Sequence, residues 1–301
     1  MPSRVRRFAP SVDAPIPGSG SSAILRGMED RFRSPLTTDA NAGKVALVTG
    51  GGTGIGRATA FELARTGARV AICGRRAEPL DAARAQLEAG GHEVVAGTCD
   101  VREPDQVDAF LDTVGERFGG VDVLVNNAGG QFAAPAEEIS LKGLRAVHRL
   151  NVDAVWHVTH QVATRWMIPR RRGSIFFLGF SPRRGLPMMA HSSMARSALE
   201  TMAASLSNEW SRYGIRAVCV AAGLIATEGL RQYGGPEIVE EHASQVPMRR
   251  PGLPEEVAVT IAFLASAGGA YVTGSTVLVD GGADAWGQGE RPPEPEAPLS
   301  G

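Results

Sequence analysis

Along the middle of the chain, short unbroken apolar runs alternate with longer stretches whose apolar residues recur every three or four positions. Val45-Ala-Leu-Val-Thr49 is the first such run. It is too short for a helix and leads into glycines, so it predicts a buried strand. Runs of the same kind predict strands over 70–73, 94–97, 121–125, 174–178, 215–220 and 276–279. Between them lie predicted helices over 54–66, stopped by Gly67, and over 78–89, closed by Gly90-Gly91. Another spans 104–118, with proline in its first turn. A long helix is expected within 140–167 and a shorter one over 255–266. Met194, Ala198, Met202, Leu206 and Trp210 recur every four residues and mark one apolar face of a further helix. Strands that are apolar on both sides, alternating with helices, imply an α/β fold. We expect a single Rossmann-type, doubly wound parallel sheet of about seven strands with helices on both faces. Ligands bind such sheets beyond the carboxyl ends of the strands.

The two ends break this pattern. Residues 1–42 are rich in Pro, Ser, Gly and Arg, with scattered apolar positions, and predict a mostly disordered arm. Arg4, Arg6 and Arg7 are followed by no apolar segment of the kind a secretory signal needs. Residues 287–301 contain Pro-Pro-Glu-Pro-Glu-Ala-Pro and predict a solvated tail. One catalytic domain over 43–286 is therefore expected. Among the 301 residues, 43% are hydrophobic and 21% charged, and the formal net charge is −1. Without a basic excess to neutralise phosphates, nucleic acid is not expected as a partner. No apolar run approaches the ~20 residues that span a bilayer, so no membrane partner is expected either. Cys73, Cys99 and Cys219 lie far apart and show no CxxC spacing. That argues against a disulfide scaffold or a cysteine zinc site and fits a reducing cytoplasm. The histidines form no ligand cluster, so no metal is expected.

The candidate chemistry begins where the first strand ends. Thr49-Gly-Gly-Gly-Thr-Gly-Ile-Gly56 passes directly into a predicted helix. Glycine permits the tight turn and lets backbone approach a pyrophosphate at a helix N-terminus, where free N–H groups favour anions. Gly50, Thr53, Gly54, Ile55 and Gly56 are thus candidate phosphate-binding residues. The second strand ends in Cys73-Gly-Arg-Arg76. The acid that would bond the ribose hydroxyls of NAD is absent there, and two guanidiniums suited to a phosphate stand in its place. Arg75 and Arg76 therefore point to NADP(H).

These segments, with Asp100-Val101, Asn126-Asn127-Ala128-Gly129, Asn151, Val272-Thr273-Gly274 and Val279-Asp280-Gly281-Gly282, resemble the short-chain dehydrogenase/reductase family over the whole folded body. The resemblance implies that Asp100 and Val101 contact the adenine, and that Asn126, Ala128 and Gly129 line the ribose side. It also implies that Gly223, Ile225 and Thr227 approach the nicotinamide and pyrophosphate. Members commonly pair through their long helices and last strand, which implies a homodimer or homotetramer.

The family's usual Tyr-xxx-Lys pair is missing. The only lysines are Lys44 and Lys142, and neither has a tyrosine four residues earlier. Alignment on the following Ala-Leu places Arg196 at the lysine position, Ser192 at the tyrosine position and Gly179 at the usual serine. Of the common quartet only Asn151 remains. His191-Ser-Ser-Met-Ala-Arg196 and Gly129-Gly-Gln-Phe132 are similar to the peroxisomal trans-2-enoyl-CoA reductase and 2,4-dienoyl-CoA reductase branch and its bacterial relatives. This implies reduction of a C=C bond in an acyl-CoA thioester, a step that calls for hydrogen-bond donors at the thioester oxygen. Ser192, Gln131, Asn151 and Arg196 are the candidate catalytic residues, with Arg196 also holding the cofactor. Tyr233, in a segment where the family has a substrate lid, is a candidate acid. Two other readings stand beside this one: an alcohol or carbonyl oxidoreductase of the citronellol or citronellal type, and a non-catalytic dinucleotide-binding homologue.

Overall fold

A computed structural model describes residues 32–181, 183, 185–228, 243 and 246–286. Seven parallel strands form one sheet in the order β3-β2-β1-β4-β5-β6-β7. They are β1 (Val45–Thr49), β2 (Arg69–Gly74), β3 (Val94–Thr98), β4 (Val123–Asn126), β5 (Gly173–Phe180), β6 (Ile215–Ala222) and β7 (Thr276–Val279). Every residue of β1 is buried, because helices cover both of its faces. The chain winds outward through β2 and β3, then crosses back so that β4 lies beside β1. Between β1 and β4 the connections leave in opposite directions, which opens a crevice at the strands' carboxyl ends.

Helices α1 (Gly54–Arg65), α2 (Ala77–Ala89) and α3 (Pro104–Phe118) follow the first three strands. The expected long helix is one rod built of α4 (Leu141–His148), α5 (Ala154–Val162) and α6 (Ile168–Arg170). Two π turns join these pieces, Arg149–Asp153 and Ala163–Met167. Ser140 caps the rod by accepting a 3.1 Å hydrogen bond from the Gly143 amide. Then come α7 (Ala190–Trp210), α8 (Pro254–Ala265) and the short α9 (Ala283–Trp286). Leu63, Leu80 and Ile261 pack on one face of the sheet, and Phe110, Val155 and Leu199 on the other. No helix among the described residues is long and apolar enough to cross a membrane.

The body starts earlier than residue 43. Its compact unit begins at Arg33. Ser34 donates a 2.6 Å hydrogen bond to Glu62 on α1, and Arg65 reaches back to Ser34 Oγ and the Leu36 carbonyl. Asn41 is fully buried and donates to Thr66 Oγ1 and the Ala262 carbonyl, both at 3.0 Å. Its Oδ1 accepts from Lys44 Nζ. Hydrogen bonds anchor this segment with few apolar residues, so no hydrophobic period announces it. The expected tail over 287–301 lies outside the described residues.

Removing the Asn41 amide leaves buried partners unpaired, which costs about 1–3 kcal/mol. Asn41→Ala should lower the urea midpoint accordingly; an unchanged midpoint would show that the segment contributes nothing to the fold.

Candidate active site

A cleft of about 1390 Å³ opens at the carboxyl ends of the strands. Its floor depends on how β1 and β4 finish. Thr49 Oγ1 accepts from the backbone amides of Asn127 (3.1 Å) and Ala128 (3.0 Å). Asn127 Nδ2 in turn donates to the carbonyls of Thr49 (2.9 Å) and Gly50 (3.2 Å). Gly50 has φ +67° and its amide donates to the Cys73 carbonyl at 2.7 Å. A side chain there would be strained in backbone and would press on Asn127.

Gly50, Thr53, Gly54 and Ile55, the candidate phosphate-binding residues, line the cleft. Gly56 does not: a Cβ on it would overlap Asn127 Nδ2 and the Gly50 carbonyl, so it serves close packing of helix and turn. Helix α1 has no side-chain cap and no acidic residue in its first turn. Its positive end is therefore open to an anion. Arg75 and Arg76 line the same cleft, both exposed, and neither forms an ion pair among the described residues. Asp100 and Val101 line it too. The Arg102 guanidinium grips the Asp100 carboxylate at 2.5–3.1 Å and holds it below the usual range.

Asn126 departs from expectation. It is buried, donates to Thr159 Oγ1 at 2.9 Å, and is absent from the cleft wall. Asn127 lines the wall in its place. The motif contained both asparagines, but only the strand's register decides which one faces the ligand.

Ala128, Gly129 and Gln131 continue the wall, with Arg196 beside them. Arg196 Nη1 donates to the Leu178 carbonyl at 2.6 Å and meets no carboxylate at ion-pair distance among the described residues. Burial pushes its pKa down to about 10, so it stays cationic at neutral pH. Its fork lies so close to Gly129 that any Cβ there would overlap it. Asn151, inside the first π turn, donates to the carbonyls of Gly130 (2.8 Å) and Val147 (2.9 Å). It is fully buried and stands behind the wall, holding the Gly129–Gln131 loop.

Ser192 also stands behind the wall. It is fully buried, and its hydroxyl donates to Gln131 Oε1 at 2.7 Å. The expectation that Ser192 itself meets the substrate is corrected: it stands outside the wall with its hydroxyl committed to Gln131, and Gln131 lines the cleft. At the usual serine position, a Cβ on Gly179 would stand 2.6 Å from Cys219 Sγ. Cys219 from β6 fills that space, and burial pushes its thiol up to about 12. His191 is buried against the Phe132 ring, with centroids 4.2 Å apart, and lies outside the wall. Gly223, Ile225 and Thr227 also line the cleft. Tyr233 lies outside the described residues. Among those residues there is no cluster of groups able to hold a metal.

Comparison with known proteins agrees with this geometry. Residues 50–284 match a family model described as enoyl-(acyl carrier protein) reductase. The chain belongs to the short-chain dehydrogenase/reductase family. It is 36% identical to glucose 1-dehydrogenase of Gluconobacter oxydans, over 84% of this chain and 96% of that protein. It is 33% identical to the peroxisomal 2,4-dienoyl-CoA reductase of Danio rerio, over 84% and 86%. A citronellol catabolism dehydrogenase from Pseudomonas aeruginosa has a TM-score of 0.75 at 35% identity, covering 84% of this chain and 100% of its own. A variant actinorhodin polyketide ketoreductase crystallised with NADPH reaches 0.78 at 31% identity, covering 83% and 100%. Within this family the chain is an oxidoreductase.

The crowding at Gly179 is testable. Restoring the usual serine should cost about 1–3 kcal/mol by overpacking. Cys219→Ala in the same chain should recover part of that loss in thermal unfolding; no recovery would show that Cys219 is not the obstacle. Burial also lowers the pKa of His191. Below about pH 6.5 the unfolded chain then takes up a proton that the folded chain resists, so stability falls with pH. His191→Phe should flatten that fall in urea unfolding between about pH 7 and 5; an unchanged slope would assign it to other groups.

Proposed function

We propose that this protein is an NADP(H)-dependent reductase of the C=C bond in trans-2-enoyl-CoA or a similar acyl thioester. The observation that carries this reading is the makeup of the cleft's substrate end. Phe180, Leu186, Met188, Met189 and Trp286 make it apolar. Ser181 is the hydroxyl there, and it already donates to Asp280 at 2.5 Å. A polyol would find few free partners among the described residues, although one relative is a glucose dehydrogenase. The dienoyl-CoA reductase likeness supports the acyl thioester.

The cofactor's fit rests on the open end of α1, the close approach at Gly50 and the two arginines, which form no ion pair among the described residues. Residues at 50–55 would hold the pyrophosphate, Arg75 and Arg76 the 2′-phosphate, and Arg196 the nicotinamide-side ribose. When bound, the reduced nicotinamide supplies a hydride to Cβ. Charge then develops at the thioester oxygen, where the Gln131 amide donates a hydrogen bond. Ser192 fixes the amide's orientation, and Asn151 fixes the loop. Arg196 adds positive potential without moving a proton, because it does not deprotonate near neutral pH. Tyr233 is the sequence candidate for delivering the proton to Cα.

A second reading, oxidation of an apolar alcohol, is favoured by the likeness to the citronellol catabolism dehydrogenase. We further infer a cytoplasmic homodimer or homotetramer. The exposed Trp156, Met194 and Tyr271 lie on elements or segments through which the family pairs.

Cofactor consumption with crotonyl-CoA and longer enoyl-CoA, against ketones and primary alcohols, tests the reaction. Turnover confined to alcohols would replace the first reading by the second. No turnover of any substrate despite tight NADPH binding would leave a non-catalytic homologue. Gln131→Leu should lower kcat by about 10²–10³, the usual effect of losing one such donor, with NADPH affinity intact. Arg75→Asp should weaken NADPH far more than NADH; equal wild-type affinity for both would overturn the phosphate assignment.

A further inference from the structure

Two segments that line the cleft are required by no part of the dinucleotide site. One is α9, the last described turn of the chain. Its Trp286 and Ala283 line the cleft, as does Val246. The turn is held by an ion pair between a buried carboxylate and an exposed guanidinium. Asp284 is 5% exposed, which for a carboxylate demands compensation. Arg183 provides it: its backbone amide donates to Oδ1 at 2.7 Å, and its Nε and Nη2 donate to Oδ2 at 3.2 and 3.1 Å. The same guanidinium extends to Glu200 at 3.4 Å. A second carboxylate, Asp280, accepts from Ser181 Oγ at 2.5 Å, from the Gly282 amide at 2.9 Å and from the Asp284 amide at 2.8 Å. Two acids thus tie the C-terminal turn to the segment after β5. Such pairs fix geometry more than they add stability.

The other segment carries Met188. This residue has φ +68°, in the left-handed region that a bulky side chain avoids. Its carbonyl is held by the Ala134 amide at 2.9 Å, while its side chain is 46% exposed and lines the cleft. A strained backbone that turns a flexible apolar side chain into a cleft is characteristic of a ligand contact. Leu186, Met188, Val246 and Trp286 are apolar, and the charged residues of the described wall are Arg75, Arg76, Asp100 and Arg196 of the candidate cofactor cradle.

We propose that α9 and Met188 together form a subsite for a hydrocarbon tail, and that Trp286, clamped through Asp284 and Arg183, sets the tail length the protein accepts. The proposal deepens the acyl-thioester reading but depends only on an apolar tail, which an alkyl alcohol also carries. The ligand class is an unbranched chain without polar groups beyond its reacting end.

The test is binding, so it does not require turnover. Calorimetry on the full chain loaded with NADP⁺ would follow saturated acyl-CoA thioesters and primary alcohols from butyl to hexadecyl length. Wild-type affinity should rise about fourfold per methylene and then stop rising at a cut-off length. Trp286→Ala should move that cut-off to longer tails. Asp284→Asn, which keeps the shape but loses the charge pair, should blur it. Trp286→Leu covers the case in which the alanine variant fails to fold, and should shift the cut-off less. Wild-type affinity that is independent of tail length, or a cut-off unmoved by Trp286→Ala and Trp286→Leu, would overturn the proposal. A cut-off seen with alcohols alone would uphold the subsite and remove the thioester reading instead.

Discussion

The site rests on the lateral bonding of β1 to β4 at their carboxyl ends. Two strands far apart in sequence are neighbours there, and Thr49 and Asn127 exchange hydrogen bonds across the junction. That exchange holds the glycine turn open and places Asn127 where Gly50 and Gly56 must lack side chains. It thereby brings the open end of α1 and the Gly129–Gln131 loop to one cleft. Loss of the junction would separate the candidate cofactor cradle from the reacting end, even with every motif residue present.

Around that junction the altered quartet is internally consistent. Each departure has a neighbour that accommodates it. Cys219 occupies the volume a serine at 179 would need. Gly129 leaves room for the fork of Arg196, which is wider than an ammonium. Ser192, too deep to meet a substrate, orients Gln131. The π turn in the long helix points Asn151 back at the Gly130 backbone. Arg196 meets no carboxylate at ion-pair distance among the described residues, and a half-buried cation without one is costly.

The apolar substrate end has a different origin. It is assembled from the segments after β5 and β7, whose sequences carry no periodic signal. The buried carboxylate of Asp284 and a strained methionine give it shape where secondary structure does not.

Sequence alone determined the alternation of strands and helices, the glycine turn, the pair of arginines and the absence of Tyr-xxx-Lys. These are local properties: period, spacing and residue type act within a few positions, so one dimension is enough to read them. It also placed β1, α3 and β7 at the bounds later seen. Tertiary structure decided what depends on approach across the fold. It set which of two adjacent asparagines faces the cleft, and turned Ser192 and Asn151 from wall residues into supports. It anchored residues 34–41 by hydrogen bonds to α1 and α8, and brought Trp286 into the cleft wall. The reason is physical: a side chain's role is set by what lies opposite it, and the partners of these residues lie twenty to more than two hundred positions away in the chain.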